Sequence, residues 1–323
     1  METPVVFLVY NRPVETRRVF ERIRQARPSR LMVVCDGARP HSADDSERVA
    51  AVREIIDIGV DWKCDVSRNY ASENMGCRNR VASGLNWAFE AVEEAIILED
   101  DCLPDPSFFT FCEQLLQRYR EDTRIMHIAG TNFATPHVSV KESYWATFHA
   151  PVWGWATWRR AWKHYDFMME TWDARIDEIS ATFANAWERQ FWLSDWERLR
   201  NNIEDATTWD IMWNFTLRSL GAFSLVPSGN LVENIGIGAN GTHTNGELAH
   251  LRLRAGNAPR ILRHPIRLTP SRFRDDVISR AYAGAEFTVR SNLKAHFRNA
   301  VDMVAGCGYE KRPVNKWNPK KCY

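Results

Sequence analysis

Four apolar residues, Ala95-Ile96-Ile97-Leu98, run straight into three carboxylates, Glu99-Asp100-Asp101, and no other stretch restricts the fold so tightly. An unbroken apolar run has no alternation that would give it a wet face. It reads as a strand buried on both sides, as in a parallel sheet covered by helices. In open α/β sheets ligands bind at the carboxyl ends of such strands, which is where the three acids stand. Neighbouring carboxylates repel, and a hard divalent cation is the simplest compensation, because it prefers oxygen ligands and bridges carboxylates to phosphates. Within an extended triplet, alternation would send Glu99 and Asp101 to one face and Asp100 to the other. The competing description is a solvated acidic turn, since Cys102-Leu103-Pro104-Asp105-Pro106 ends the strand at once.

The preceding residues carry the same strand and helix alternation. Val5 to Val9 predicts a strand, Pro13 to Ala26 a helix, and Leu31 to Cys35 a second strand closing on Asp36-Gly37. Ser42-Ala43-Asp44-Asp45 predicts the start of a helix ending near Gly59, followed by a short strand around Val60 to Val66 and a helix from about Gly76 to Ala91. Such repetition implies a mostly parallel sheet with helices on both faces. Beyond Pro106, the spacing of Phe108, Phe109, Cys112, Leu115, Leu116 and Tyr119 predicts a helix, and Ile125 to Ala129 a strand. Further helices fit Phe273 to Gly284 and Thr288 to Val304. Eleven of the 14 tryptophans fall between Trp145 and Trp213. Most are expected in the core. Trp153 and Trp155 flank a glycine where a ligand can approach the backbone, so they are the better candidates for stacking on a sugar or base.

At 323 residues and 45% hydrophobic content, the chain can bury a substantial core. Its seven cysteines include no Cys-x-x-Cys pair, which argues against a disulfide framework or zinc and fits a reducing cytosol. No basic leader precedes the first strand and no apolar run approaches the ~20 residues that span a bilayer, so a soluble or peripheral protein is expected. The net charge of +1 hides a segregation: residues 251–323 hold 16 of the 42 Lys plus Arg and only 5 of the 41 Asp plus Glu. Such a tail suits anionic lipid, a polyanionic substrate or the acidic body of the same molecule.

Other candidates follow the strands. Arg12, in Tyr10-Asn11-Arg12-Pro13, suits a phosphate or a base, or is a surface charge. Asp36 suits a base or ribose contact, or a simple Asp-Gly turn. Asn74-Met75-Gly76-Cys77-Arg78-Asn79-Arg80 opens a helix whose N–H groups and two arginines suit an anion. Neither a Gly-x-x-x-x-Gly-Lys-Ser/Thr nor a Gly-x-Gly-x-x-Gly motif occurs, which disfavours an NTPase and an NAD enzyme. Asp210 opens a helix reaching Gly221 and is either its cap or a general base, with Asp195, Glu204 and Asp205 as competitors. The Gly-rich run Asn234 to Thr244 presents His243, which could complete a metal shell.

In their order, Val5 to Pro13, Val33-Val34-Cys35-Asp36-Gly37, Glu73-Asn74-Met75-Gly76, Ile97 to Asp101 and Trp209-Asp210 resemble a GT-A fold glycosyltransferase. The likeness is to bacterial relatives of the N-acetylglucosaminyltransferase I type and spans roughly residues 4–245. It implies an α/β fold with a GT-A type nucleotide-binding, mostly parallel sheet flanked by helices. Residues 1–105 would form the nucleotide-sugar-binding half and 106–245 a Trp-rich acceptor-binding and catalytic half of the same domain. Residues 246–323 would be a basic C-terminal extension. By the same resemblance Asp101 binds Mn²⁺ or Mg²⁺ with His243 as a late ligand, Asp100 contacts the ribose, Glu99 the donor sugar and Asp36 the uracil or other base. Tyr10, Asn11, Arg12, Asn74, Arg78 and Trp155 complete the expected donor site. Trp209-Asp210 resembles the Glu-Asp helix of inverting members, with Trp209 in place of the glutamate, which makes Asp210 the catalytic base.

The implied activity is metal-dependent, inverting sugar transfer from a nucleoside-diphosphate sugar, a UDP-sugar being favoured, to a hydroxyl of a saccharide or lipid-linked acceptor. The implied location is the cytoplasm, with peripheral membrane contact through the basic extension, and no nucleic-acid partner is expected. The alternatives are a non-catalytic nucleotide-sugar or glycan-binding protein and a nucleotidyltransferase. The latter would carry a Gly-rich loop where Tyr10-Asn11-Arg12-Pro13 stands.

Overall fold

β1 (Val5–Val9) and β2 (Arg30–Cys35) are apolar almost throughout and pair in parallel, from Val5 opposite Leu31 to Val9 opposite Cys35. Between them lies α1 (Pro13–Ala26), whose proline occupies the first turn, where an unbonded N–H would otherwise be wasted. This computed structural model describes residues 1–40, 42–237 and 251–284. The first half continues through α2 (Ala43–Gly59), β3 (Asp65–Tyr70), α3 (Cys77–Ala91), β4 (Glu94–Glu99) and β5 (Cys102–Pro104). Then come α4 (Ser107–Arg118), β6 (Ile125–Ala129), β7 (Tyr144–Thr147), β8 (Trp155–Trp158) and α5 (Arg159–Trp162). The remaining elements are α6 (Trp172–Ser180), α7 (Ala186–Asn201), α8 (Asp210–Ser219), β9 (Phe223–Pro227), β10 (Val232–Asn234) and α9 (Arg272–Tyr282).

Eight strands form one sheet in the order β3-β2-β1-β4-β8-β6-β9-β7, in which β8 and β7 run against the other six. The sheet is thus mixed but mostly parallel, and it continues across residue 105 without a break. Alternate residues of β1 face different layers. Val5, Phe7 and Val9 pack with α1, α2 and α4, whereas Val6 and Leu8 pack with α3, Trp209, and Trp213 of α8. The strand expected around Val60 to Val66 lies later, at β3. Val60 and Trp62 are apolar because Trp62 packs on Phe20, with ring centroids 6.1 Å apart, and donates to the Pro28 carbonyl at 2.8 Å. The polar Asp65–Tyr70 stretch is recruited as an outer strand by parallel pairing with β2. The helix expected at Thr288 to Val304 lies outside the described residues. Among the described residues no helix is long and apolar enough to cross a membrane.

The tryptophan-rich half builds its own core. Trp155, Trp162, Trp209 and Trp213 pack with centroids 5.2 to 6.4 Å apart, next to the fully buried His127 of β6. His127 stacks on Trp155, accepts from the Trp213 indole at 3.1 Å and meets the Pro151 carbonyl at 2.9 Å through its other nitrogen. That arrangement needs one protonated and one bare ring nitrogen, so the ring is neutral. Burial pushes its pKa down to about 3. The unfolded chain takes up this proton near pH 6.5. Stability from neutral His127 is therefore complete above that pH and is lost as pH falls toward 3, by up to ~1.4 kcal/mol per pH unit. Thermal denaturation between pH 7 and pH 4 should show the midpoint falling, and His127→Gln should flatten the slope. An equally steep slope in the variant would show that other groups govern the acid sensitivity.

Candidate functional site

Successive connections leave β1 toward β2 on one side, while β4 lies on the other, so the sheet reverses its winding between β1 and β4. A crevice opens at the carboxyl ends of strands at such a point. Residues after β1, β2 and β4 line one cavity of about 430 Å³ there: Tyr10 and Arg12, Asp36, and Glu99, Asp100 and Asp101. Asp210, at the start of α8, lines the same cavity, whereas its expected competitors Asp195, Glu204 and Asp205 do not.

β4 ends at Glu99, and Asp100 and Asp101 form a turn. Strand alternation therefore stops before it can separate them, contrary to expectation. Both reach Arg12, whose Nη1 lies 3.3 Å from Asp100 Oδ1 and 2.5 Å from Asp101 Oδ2. Asp100 also accepts from the Tyr10 backbone N–H at 3.0 Å, so the turn is clamped to the end of β1. Burial works against the Arg12 charge, but Asp101 and Asp100 outweigh it and hold the guanidinium firmly protonated. The acids themselves are crowded. Burial, then repulsion from Asp101 and Asp210, raises Glu99 well above the usual carboxylate range. Burial likewise pushes Asp100 up to about 7, with Arg12 opposing it. Asp210 is raised by burial too, although the Thr208 hydroxyl donates to its carboxylate and pulls the other way.

Two other acids serve the loops. Asp36 accepts from the N–H groups of Gly37 and Met75, each at 2.9 Å, and from the Gly76 N–H and Asn74 amide, each at 3.1 Å. A carboxylate has about four acceptor positions, and these donors use them. Asp36 therefore ties the end of β2 to residues 74–76, and it also lines the cavity. It is also an anion that the turn before α3 binds, through the Met75 and Gly76 N–H groups. Asp45 holds the neighbouring loop. It receives the Tyr10 phenol, the Asn11 amide and both the backbone and guanidinium of Arg39. Burial opposes its charge, but these donors keep it well below the usual range.

Several expected ligand residues accordingly lie elsewhere. Asn11 turns to Asp45 and does not line the cavity. Arg78 is buried away from it, donating to the Ile203 carbonyl at 2.7 Å and the Phe167 carbonyl at 2.9 Å. Trp155 is fully buried because β8 directs it into the tryptophan core, while Trp153, just before the strand, is partly exposed and lines the cavity. Tyr10, Arg12, Asp36, Asn74, Glu99, Asp100, Asp101 and Asp210 do line it. His243 lies outside the described residues.

Apart from Trp153, the aromatic part of the cavity wall was not legible in the sequence. It comprises Phe133, Trp153, Trp192 and Tyr282 and the buried His149. His149 Nε2 lies 3.1 Å from Glu188 and 3.0 Å from Ser279, linking α7 and α9 through residues that stand far apart in the chain.

Among the described residues, no three His, Cys, Asp or Glu side chains converge to enclose a metal ion. The donor set nevertheless suits a hard cation held in part by the protein. Glu99 and Asp101 offer oxygen only, and Arg12 contacts two of the three adjacent acids, Asp100 and Asp101. Gly236 packs closely on the Asp101 carboxylate, where a Cβ would collide with Oδ2. Mg²⁺ is commonly held by one or two carboxylates, with phosphates and water completing its shell.

No protein-family model matches the sequence, and no curated protein matches it. Among solved structures the chain is similar to an apo UDP-glucose pyrophosphorylase, at 9% identity and a TM-score of 0.37, covering 73% of this chain and 93% of that one. A UDP-glucose pyrophosphorylase complexed with UDP-glucose gives 14% identity and 0.26, covering 46% and 63%. Mouse xyloside xylosyltransferase 1 in its apo form gives 10% and 0.31, covering 68% and 82%. Likeness this weak identifies neither the activity of the chain nor its substrate.

The Asp36 hub has a measurable consequence. Asp36→Asn leaves one oxygen for four donors and turns an NH₂ toward them, so unfolding free energy should fall by about 1–3 kcal/mol. Chemical denaturation of wild type and variant would measure this, and an unchanged midpoint would show that the hub does not hold the loop.

Proposed function

We propose that this chain is a glycosyltransferase that moves a sugar from a nucleoside-diphosphate sugar, with a UDP-sugar favoured, to a hydroxyl of a saccharide or lipid-linked acceptor, inverting the anomeric configuration. One observation carries the reading: the Glu99-Asp100-Asp101 turn with Arg12 and the base candidate Asp210 come from separate halves of the chain and line one cavity. The acids at the strand ends suit the donor side. The aromatic limb around Trp153 and Trp192 suits the flat faces of an acceptor sugar.

In this mechanism Arg12 binds the negatively charged diphosphate and is itself oriented by Asp100 and Asp101. Asp101, with Glu99 beside it, would hold Mn²⁺ or Mg²⁺, which offsets charge on the leaving nucleoside diphosphate. His243 is the proposed further ligand. Asp210 accepts the proton of the attacking hydroxyl, and its burial raises its proton affinity, as a general base requires. The hydroxyl of Thr208 orients that carboxylate.

Thermal-shift screening of nucleotide sugars with Mn²⁺ would identify the donor, since a ligand that binds only the folded state raises its midpoint. With that donor, Asp210→Asn should still bind yet lose roughly 10²–10⁴-fold in turnover. Full transfer by this variant would reject Asp210 as the base. Asp101→Ala should abolish the part of nucleoside-diphosphate release that depends on added Mn²⁺; an unaltered Mn²⁺ titration would remove the metal from Asp101.

A further inference from the structure

Between Leu251, which lines the cavity, and α9 the chain runs without helix or strand apart from one helical turn residue at Leu251 itself. From 251 to 274 it carries seven arginines and not one Asp or Glu. Arg252, Arg254, Arg260, Arg263 and Arg267 are exposed, and none of the salt bridges among the described residues involves them. Two isoleucines stand among these charges, Ile261 at 84% and Ile266 at 101% exposed, which puts their side chains fully into solvent.

This exposure is not that of a loose loop. Ser143 and Arg263 exchange two hydrogen bonds, from Ser143 N–H to the Arg263 carbonyl at 2.9 Å and from Arg263 N–H to Ser143 Oγ at 2.8 Å. The Tyr144 hydroxyl lies 2.7 Å from His264 Nδ1, and the Ala258 N–H donates to Ser107 Oγ at 2.8 Å. Leu262 is buried in the main core between two outward neighbours. The backbone is thus fixed with Leu262 inward and Ile261 and the arginines outward.

We propose that residues 252–271 form a docking surface for an anionic lipid bilayer. Exposed arginines are attracted to anionic headgroups, and apolar side chains exposed among them enter the headgroup and acyl boundary. The isoleucines decide between polyanions: a nucleic-acid backbone rewards the arginines alone, whereas a bilayer rewards both. The surface departs from the cavity wall at Leu251 and returns to it at Ile278 and Tyr282, so docking would bring the cavity to the membrane. The inference does not depend on the proposed chemistry.

Co-sedimentation of the full chain with phosphatidylcholine vesicles, with and without phosphatidylglycerol, tests it. Binding is expected only to vesicles containing phosphatidylglycerol. At roughly 5-fold for each arginine, Arg260→Gln, Arg263→Gln and Arg267→Gln together should weaken binding by about 100-fold. Ile261→Ser with Ile266→Ser should weaken it by at least ~10-fold while leaving binding to a single-stranded RNA unaltered. All these positions are exposed, and thermal melts would verify folding. Absence of vesicle binding, wild-type vesicle binding by both variants, or RNA binding tighter than vesicle binding and indifferent to the isoleucines would each overturn the proposal.

Discussion

The contact of Arg12 with Asp100 and Asp101 is the interaction on which the cavity depends. β1 and β4 lie side by side, yet the chain leaves them in different directions, so no backbone hydrogen bond closes the space beyond their ends. Side chains must do so, and those available are one guanidinium and three consecutive acids. The imbalance accounts for the electrostatics of the site. Burial raises the proton affinity of Glu99 and Asp100, repulsion adds to it, and Arg12 offsets only part of the charge. The same imbalance underlies the proposed division of labour between Arg12 and Asp101.

Two further acids show how a loop without regular secondary structure is held in place. Asp36 gathers donors from its own turn and from residues 74–76, and Asp45 gathers them from residues 10, 11 and 39. Each occupies a sequence position suited to ligand contact, after a strand or at a helix start, and each spends its acceptors within the protein. The acids whose surroundings raise their proton affinity are others, namely Glu99, Asp100 and Asp210. Arg78 belongs with the structural group, because its guanidinium donates to the Ile203 and Phe167 backbone carbonyls.

The tryptophans divide by the same logic of position. Trp155 lies in β8, where pairing with β4 and β6 forces its side chain into the layer beneath the sheet, against His127 and Trp209. Trp153 lies two residues earlier, beyond Gly154, whose backbone takes a positive φ of 63°. That turn frees Trp153 from the strand's alternation and leaves it at the cavity, edge-on to Phe133 at 5.2 Å.

Much of the fold was legible because burial leaves a pattern along the chain. The apolar runs of β1, β2, β4 and β6 and the helical spacing of α1, α3 and α4 are local signals, and the acids after Leu98 marked the end of the sheet at which the cavity opens. β3 was misplaced because its place is set by pairing with β2 and not by its own polar residues. Local sequence thus determined which segments became strands and helices and which strand end carried charge. Only the tertiary structure decided which carboxylates face the cavity and which are consumed by loops, because an acid's role depends on the donors around it. Those donors, such as Arg12 for Asp101, Asn74 for Asp36 and Tyr10 for Asp45, come from distant parts of the chain.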